Sequence, residues 1–165
     1  YTSSYIETLF STSTRNIETT YEATLPYNKN EGAIFLDVKA FNNDGSSAIR
    51  LGGAFGANII SFTFSTNNNL FILINNAYAS PILNYTYSHA GERQKYAVKW
   101  QGDNYYIYIN GLLVTSAINT GRTFSNLSYF NFTGNFGSNN FQGEVYNTQI
   151  FDVALSNDEI INLTK

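Results

Sequence analysis

The stretch Tyr96-Ala-Val-Lys-Trp-Gln-Gly-Asp-Asn-Tyr-Tyr-Ile-Tyr-Ile-Asn-Gly-Leu-Leu-Val114 holds five aromatic residues within thirteen positions and two sets of turn residues. Gln101, Gly102, Asp103 and Asn104 form the first turn, and Asn110 with Gly111 forms a two-residue turn whose twist matches that of the strands it joins. Residues 94 to 116 therefore read as a three-stranded meander. Its register follows from those turns. Tyr96, Val98 and Trp100 share one face opposite Ala97 and Lys99, while Ile107 and Ile109 lie opposite Tyr106 and Tyr108. A lysine is expensive to bury, so by elimination Trp100 takes the inner face and reads as core rather than as a platform for a sugar ring. Tyr106 and Tyr108 remain open to either solvent or the free surface of a sheet.

The same alternation extends upstream. Ile17 to Leu25 (IETTYEATL) and Ala33 to Phe41 (AIFLDVKAF) each place apolar residues on one side. In the second run Ile34, Leu36, Val38 and Ala40 oppose Asp37 and Lys39. Asn42, Asn43, Asp44 and Gly45 make a turn, and further strands are expected at Ser47 to Leu51, Asn58 to Phe64, Leu70 to Ile74 and Pro81 to Tyr87. Turn signals this closely spaced belong to a sandwich rather than to βαβ units. Only Ser156-Asn-Asp-Glu159 signals a helix: a capping box with Leu155 and Ile160 as its staple places two turns near the end of the sequence.

The 165 residues fit one domain, residues 1–165, able to remove roughly 70% of the unfolded surface from water. Aromatic residues supply 16% and charged residues 13%, a balance that favours strands. The nine Lys and Arg residues are scattered and the net charge is −3, which excludes the basic stripe that nucleic acid requires. No apolar run reaches the ~20 residues of a membrane span, so no membrane insertion is expected. Cysteine and methionine are absent, and the start at Tyr1 suggests a piece excised from a longer chain. Four Asn-x-Ser/Thr sites, at Asn84, Asn126, Asn131 and Asn162, carry no weight in so Asn-rich a sequence.

Two strings now resemble a known family. Tyr96, Ala97, Val98, Lys99, Trp100 and Gly102, then Ile107, Tyr108, Ile109, Asn110, Gly111 and Val114, are similar to the first signature of laminin-G-like, concanavalin A-like jelly-roll domains. Phe141, Gly143, Val145, Ile150, Phe151, Ala154, Leu155, Ser156, Glu159, Ile160 and Leu163 resemble the closing one, about 45 residues further on. The resemblance implies an all-β antiparallel sandwich with one short C-terminal helix. Glu92, Arg93, Lys95, Ala97, Lys99 and Trp100, with Val145, Tyr146, Asn147, Gln149, Ile150 and Phe151, look most like versions at the ends of bacteriophage tail or head fibres. Cellular relatives usually carry an acidic residue where Tyr146 stands. The resemblance implies a module displayed on the virion surface, or otherwise extracellular, that adheres to a bacterial surface saccharide. A homotrimer through the full-length fibre stays open, as do a structural knob without ligand and a cellular adhesion module.

The β-glucan-cleaving relatives of this fold carry E-x-D-x-x-E on one strand, and the string is missing here. Glu18 and Glu22 would stand ~13 Å apart on a strand, beyond the reach of a glycosidase carboxylate pair. His89, the sole histidine, has no G-x-S-x-G elbow to serve. These absences point to binding without catalysis. No cofactor is expected, although calcium held by one or two Asp with carbonyls stays open, Asp44 being the one carboxylate of its turn. Sugar binding needs an aromatic face with amides or guanidinium groups beside it. Asn75, Asn76 and Tyr78, then His89, Glu92 and Arg93, then Asn119 and Arg122, and finally Asn135, Asn139 and Asn140 supply such groups in four connections. The candidate carbohydrate-binding residues are Asn76, Tyr78, His89, Arg93, Asn119 and Arg122.

Overall fold

A computed structural model describes residues 30–41, 47–52, 58–65, 69–76, 82–88, 91–118, 124, 127, 129–132 and 140–165. The expected Ile17 to Leu25 strand, the Asn42 to Gly45 turn and Glu18 with Glu22 lie outside these residues. Among the described residues there are ten strands and one helix: β1 (Glu31–Ala40), β2 (Ser47–Gly52), β3 (Asn58–Ser65), β4 (Asn69–Asn76), β5 (Leu83–Ser88), β6 (Arg93–Gln101), β7 (Asn104–Ile109), β8 (Leu112–Ile118), β9 (Tyr129–Asn131), β10 (Gly143–Phe151) and α1 (Asn157–Thr164). They form two five-stranded antiparallel sheets, in the order β10-β1-β6-β7-β8 and β5-β4-β3-β2-β9. The architecture is the sandwich that the alternation and the family resemblance implied.

The main core fills the space between the sheets. Ile34, Leu36 and Val38 from β1, Tyr96, Val98 and Trp100 from β6, and Tyr105, Ile107 and Ile109 from β7 meet Ile49, Leu51, Ile60, Phe62, Phe64, Leu70, Ile72 and Ile74 of the facing sheet. Ring contacts fix the alignment of the layers: Tyr96 lies against Phe62 and Phe64 at one end, and Trp100 against Phe124 at the other. Burial pushes the hydroxyl of Tyr105 up to about 12 and that of Tyr96 further still.

The second face of the β1 sheet departs from expectation. Lys99 is only 6% exposed and Tyr108 1%, because α1 lies across them and closes a small second core of Ala33, Ala97, Tyr108 and Ile160. The placement of Trp100 in the core stands, but the elimination that led to it does not, since Ala97 and Lys99 on the opposite face of the strand are buried as well. Burial is tolerated because Lys99 Nζ donates to Asn157 Oδ1 at 3.1 Å and lies 5.4 Å from the centre of the Tyr106 ring. Tyr108 OH donates to the same oxygen at 3.0 Å. Desolvation lowers the pKa of Lys99, opposed by the charge of Glu159. Tyr108 is thus shielded from solvent, and Tyr106, partly buried, packs against the same small core. They lie beneath a helix.

That helix starts where the capping box placed it. Ser156 Oγ accepts from Glu159 N at 3.2 Å, and the Glu159 carboxylate accepts from Ser156 N at 2.7 Å. These bonds hold Glu159 below its ordinary value. At its other end Thr164 Oγ1 accepts from Gly111 N at 3.1 Å, so the helix clasps the tip of the β7–β8 hairpin. Asn110 and Gly111 have φ of 48° and 79°, as a type I′ turn requires. A β-branched side chain is strained at such φ, and a Cβ on Gly111 would come 2.8 Å from Lys165 Cγ. Gly111→Val is expected to lower the melting temperature far more than Leu112→Val, whose side chain is mostly exposed. Equal melting curves for the two variants would contradict this account of the hairpin.

Candidate functional site

The pairing of β1 with β10 slips by one residue. Asp37 faces Asn147 and Val38 faces Val145, so Tyr146 is an extra residue in the ladder. A bulge of this kind bends the strand and re-aims a side chain. Here it brings the Tyr146 ring beneath the Arg93 guanidinium, whose carbon is 3.9 Å from the ring centre. Arg93 reaches across from β6 and donates from Nε to Asp37 Oδ1 at 2.8 Å and from Nη2 to Asp37 Oδ2 at 2.7 Å. The planar fork matches the carboxylate, a geometry a lysine could not reproduce. On its far side the Tyr146 hydroxyl donates to the Glu144 carboxylate.

Burial is graded through this group. The side chain of Asp37 is 6% exposed and that of Arg93 is 53% exposed, so the acid is an internal anchor and the guanidinium faces outward. Among the described residues Arg93 Nη1 has no hydrogen-bond partner. Hydrogen bonding to Asp37, foremost, raises the pKa of Arg93, and hydrogen bonding to Glu144, foremost, raises that of the Tyr146 hydroxyl. Tyr146 itself is 46% exposed. Lys39 pairs with Glu144 on one side and with Arg93 on the other. The result is an open aromatic ring, restrained at its edge and on one face, with donors and acceptors around it.

The six candidate residues from the sequence do not all meet here. Arg93 does, though it opens strand β6 instead of lying in a loop. Asn76 closes β4, and with Asn75 belongs to a strand, not a connection. Asn76 lies at the end of the sandwich where Trp100 is packed and where β8 finishes at Ile118, opposite to the Arg93 end. The side chain of Asn76, and Tyr78, His89, Asn119 and Arg122, fall outside what the structure describes. Tyr146, Asp37 and Glu144 are not among the candidates that the sequence offers. Tyr146 was visible only as a member of the family string, and a bulge leaves no spacing signature. Asp37 leaves a trace, as an acid set between the apolar Leu36 and Val38.

Among the described residues no three His, Asp or Glu side chains gather to hold a metal ion, and Asp44 lies outside them. No described helix is long and apolar enough to cross a membrane.

Residues 12–161 match the laminin G family described as the concanavalin A-like lectin/glucanases superfamily, and the chain belongs to that family. Among solved structures it is similar to the CBM40 of the Ruminococcus gnavus IT-sialidase bound to α2,3 sialyllactose, with a TM-score of 0.65, 15% identity and 84% of each chain covered. The botulinum neurotoxin serotype D binding domain superposes with a TM-score of 0.61 at 14% identity, over 82% of this chain and 36% of the other. Trypanosoma rangeli sialidase gives a TM-score of 0.61 at 20% identity, over 82% of this chain and 22% of the other. At these identities the likeness is one of fold. No curated protein sequence matches the chain.

Proposed function

We propose that this domain is a non-catalytic carbohydrate-binding module of a bacteriophage fibre that attaches the virion to a saccharide on the bacterial surface. The observation that carries the reading is the Tyr146 ring, re-aimed by a bulge and held open by Arg93 and Glu144. A pyranose has an apolar face that stacks on such a ring and hydroxyls that the flanking donors and acceptors can bond. Membership of a lectin and glucanase superfamily supports the reading, and a solved module of the same fold binds sialyllactose. The missing E-x-D-x-x-E string favours binding over cleavage. The viral setting rests on the two fibre-like strings and on Tyr146, which stands where cellular relatives usually carry an acid. Display on the virion surface, and a homotrimer imposed by the full-length fibre, follow from the same reading.

A structural knob is the second reading, and one feature favours it. Leu112, Leu113 and Ile118 are exposed on β8, the last strand of its sheet among the described residues. An apolar edge of this kind invites pairing.

A shallow site gives weak monovalent affinity, on the order of 0.1–1 mM, raised when a fibre presents several copies. A glycan array probed with the isolated domain is expected to show binding. Tyr146→Ala should lose it at least tenfold with little change in melting temperature, because the ring is half exposed. Arg93→Lys, which keeps the charge and loses the fork, should weaken it in the same direction. Release of reducing sugar by the pure domain would make it an enzyme. An empty array together with a stable oligomer would transfer the assignment to the knob.

A further inference from the structure

The bulge site continues along the sheet. On β1 the outward positions alternate through Asp37 and Lys39 to Phe41, and the pairing persists that far, since Phe41 N donates to Gln142 O at 2.9 Å. Phe41 is 45% exposed, against 46% for Tyr146, and among the described residues neither ring has another ring stacked on it. They stand ~12 Å apart at ~3.3 Å per residue, about the span from the first to the third ring of an extended hexose chain. Lys39 and Glu144 face each other in between.

Charge narrows the occupant. Asp37 is bridged by Arg93, Lys39 faces Glu144 across the strands, and Lys95, level with Asp37 on β6, is engaged by the Lys165 carbonyl oxygen, so no base of the strip stands without an acid or an acceptor beside it and the guanidinium fork is already taken by a carboxylate. A carboxylated sugar would have to displace Asp37 or accept a place beside two acids. Neutral hydroxyls can instead take the outward Nη1 hydrogens of Arg93 and the ammonium of Lys39, and donate to Glu144.

We infer that the strip from Tyr146 to Phe41 binds a linear neutral glycan of at least three sugar units laid along β1 and β10, with one aromatic subsite at each end. The inference rests on the saccharide reading above and specifies its ligand. The test is an NMR titration of the folded domain with neutral gluco-, manno- and galacto-oligosaccharides of one to six units, beside 3′-sialyllactose. In the series that binds, affinity is expected to rise at least tenfold from one unit to three and then to level. Phe41→Ala should reduce the trisaccharide to the affinity of the monosaccharide, while Tyr146→Ala abolishes binding at every length. Thermal melts of both variants confirm folding. Affinity independent of length, a Phe41→Ala variant that keeps the gain, or a preference for 3′-sialyllactose would each overturn the inference and leave saccharide binding standing. Silence toward every sugar in the panel would overturn both.

Discussion

Replacing Trp100 with alanine lowers the free energy of unfolding by ~3–5 kcal/mol, the range for deleting a fully buried large aromatic side chain. The indole has no exposed surface, and it meets Phe124 edge-on with centroids 5.8 Å apart and planes at 84°. Phe124 meets Tyr105 in the same manner, at 5.8 Å and 86°. Removing the indole therefore leaves a void and loosens a second ring pair, and edge-to-face pairs contribute ~0.5–1.5 kcal/mol beyond the area they bury. Urea unfolding of the variant, compared at constant m-value, gives the number. An unchanged midpoint with lost glycan binding would reverse the roles and make Trp100 the sugar platform.

The second large effect arises across the strand from the first. Gly32 pairs with Trp100, and the indole lies directly over it: a Cβ there would be 2.3 Å from Trp100 Cζ2 and 2.7 Å from the carbonyl oxygen of Phe151. One contact is with a locked ring and the other with backbone, so neither can yield cheaply. Gly32→Ala is expected to destabilise by ~1–3 kcal/mol, at the upper end or beyond, as overpacking of a full core does. The cause is separable by a double-mutant cycle. In a Trp100→Phe background the smaller ring leaves room, and Gly32→Ala should cost distinctly less. Additive effects of the two substitutions would place the strain on the Phe151 carbonyl instead.

These two residues also show what the sequence could and could not disclose. The meander, the Asn110-Gly111 turn and the capping box were readable because each is set by neighbours a few positions away. The Gly32–Trp100 contact joins residues far apart in the chain, and nothing in either local pattern announces it. Lys99 illustrates a sound premise with a misleading outcome. Burying an ammonium is costly, yet α1 brings Asn157 over it and supplies the oxygen that makes burial bearable. The site was least legible. Arg93 is legible by its chemistry, but its partner Asp37 lies 56 positions away and its platform Tyr146 depends on a one-residue slip between strands. Asn75 and Asn76 looked like turn formers and instead complete a strand, because pairing with β3 overrides their local preference.

The interior place of β1, between β10 and β6 in its sheet, bears on how the chain reaches this state. Both of its neighbours come from far downstream: β6 begins over 50 positions later and β10 over 100. Each pairing must close a long loop before any contact repays the lost chain entropy. Folding is accordingly expected to be slow for a domain of this size, in the range of milliseconds to seconds that non-local β topologies occupy. Until β10 arrives, β1 waits with one edge open and its apolar side chains unshielded. The interval before that last strand docks is when the molecule is most exposed to wrong partners, so at high concentration refolding yield, more than final stability, should limit recovery.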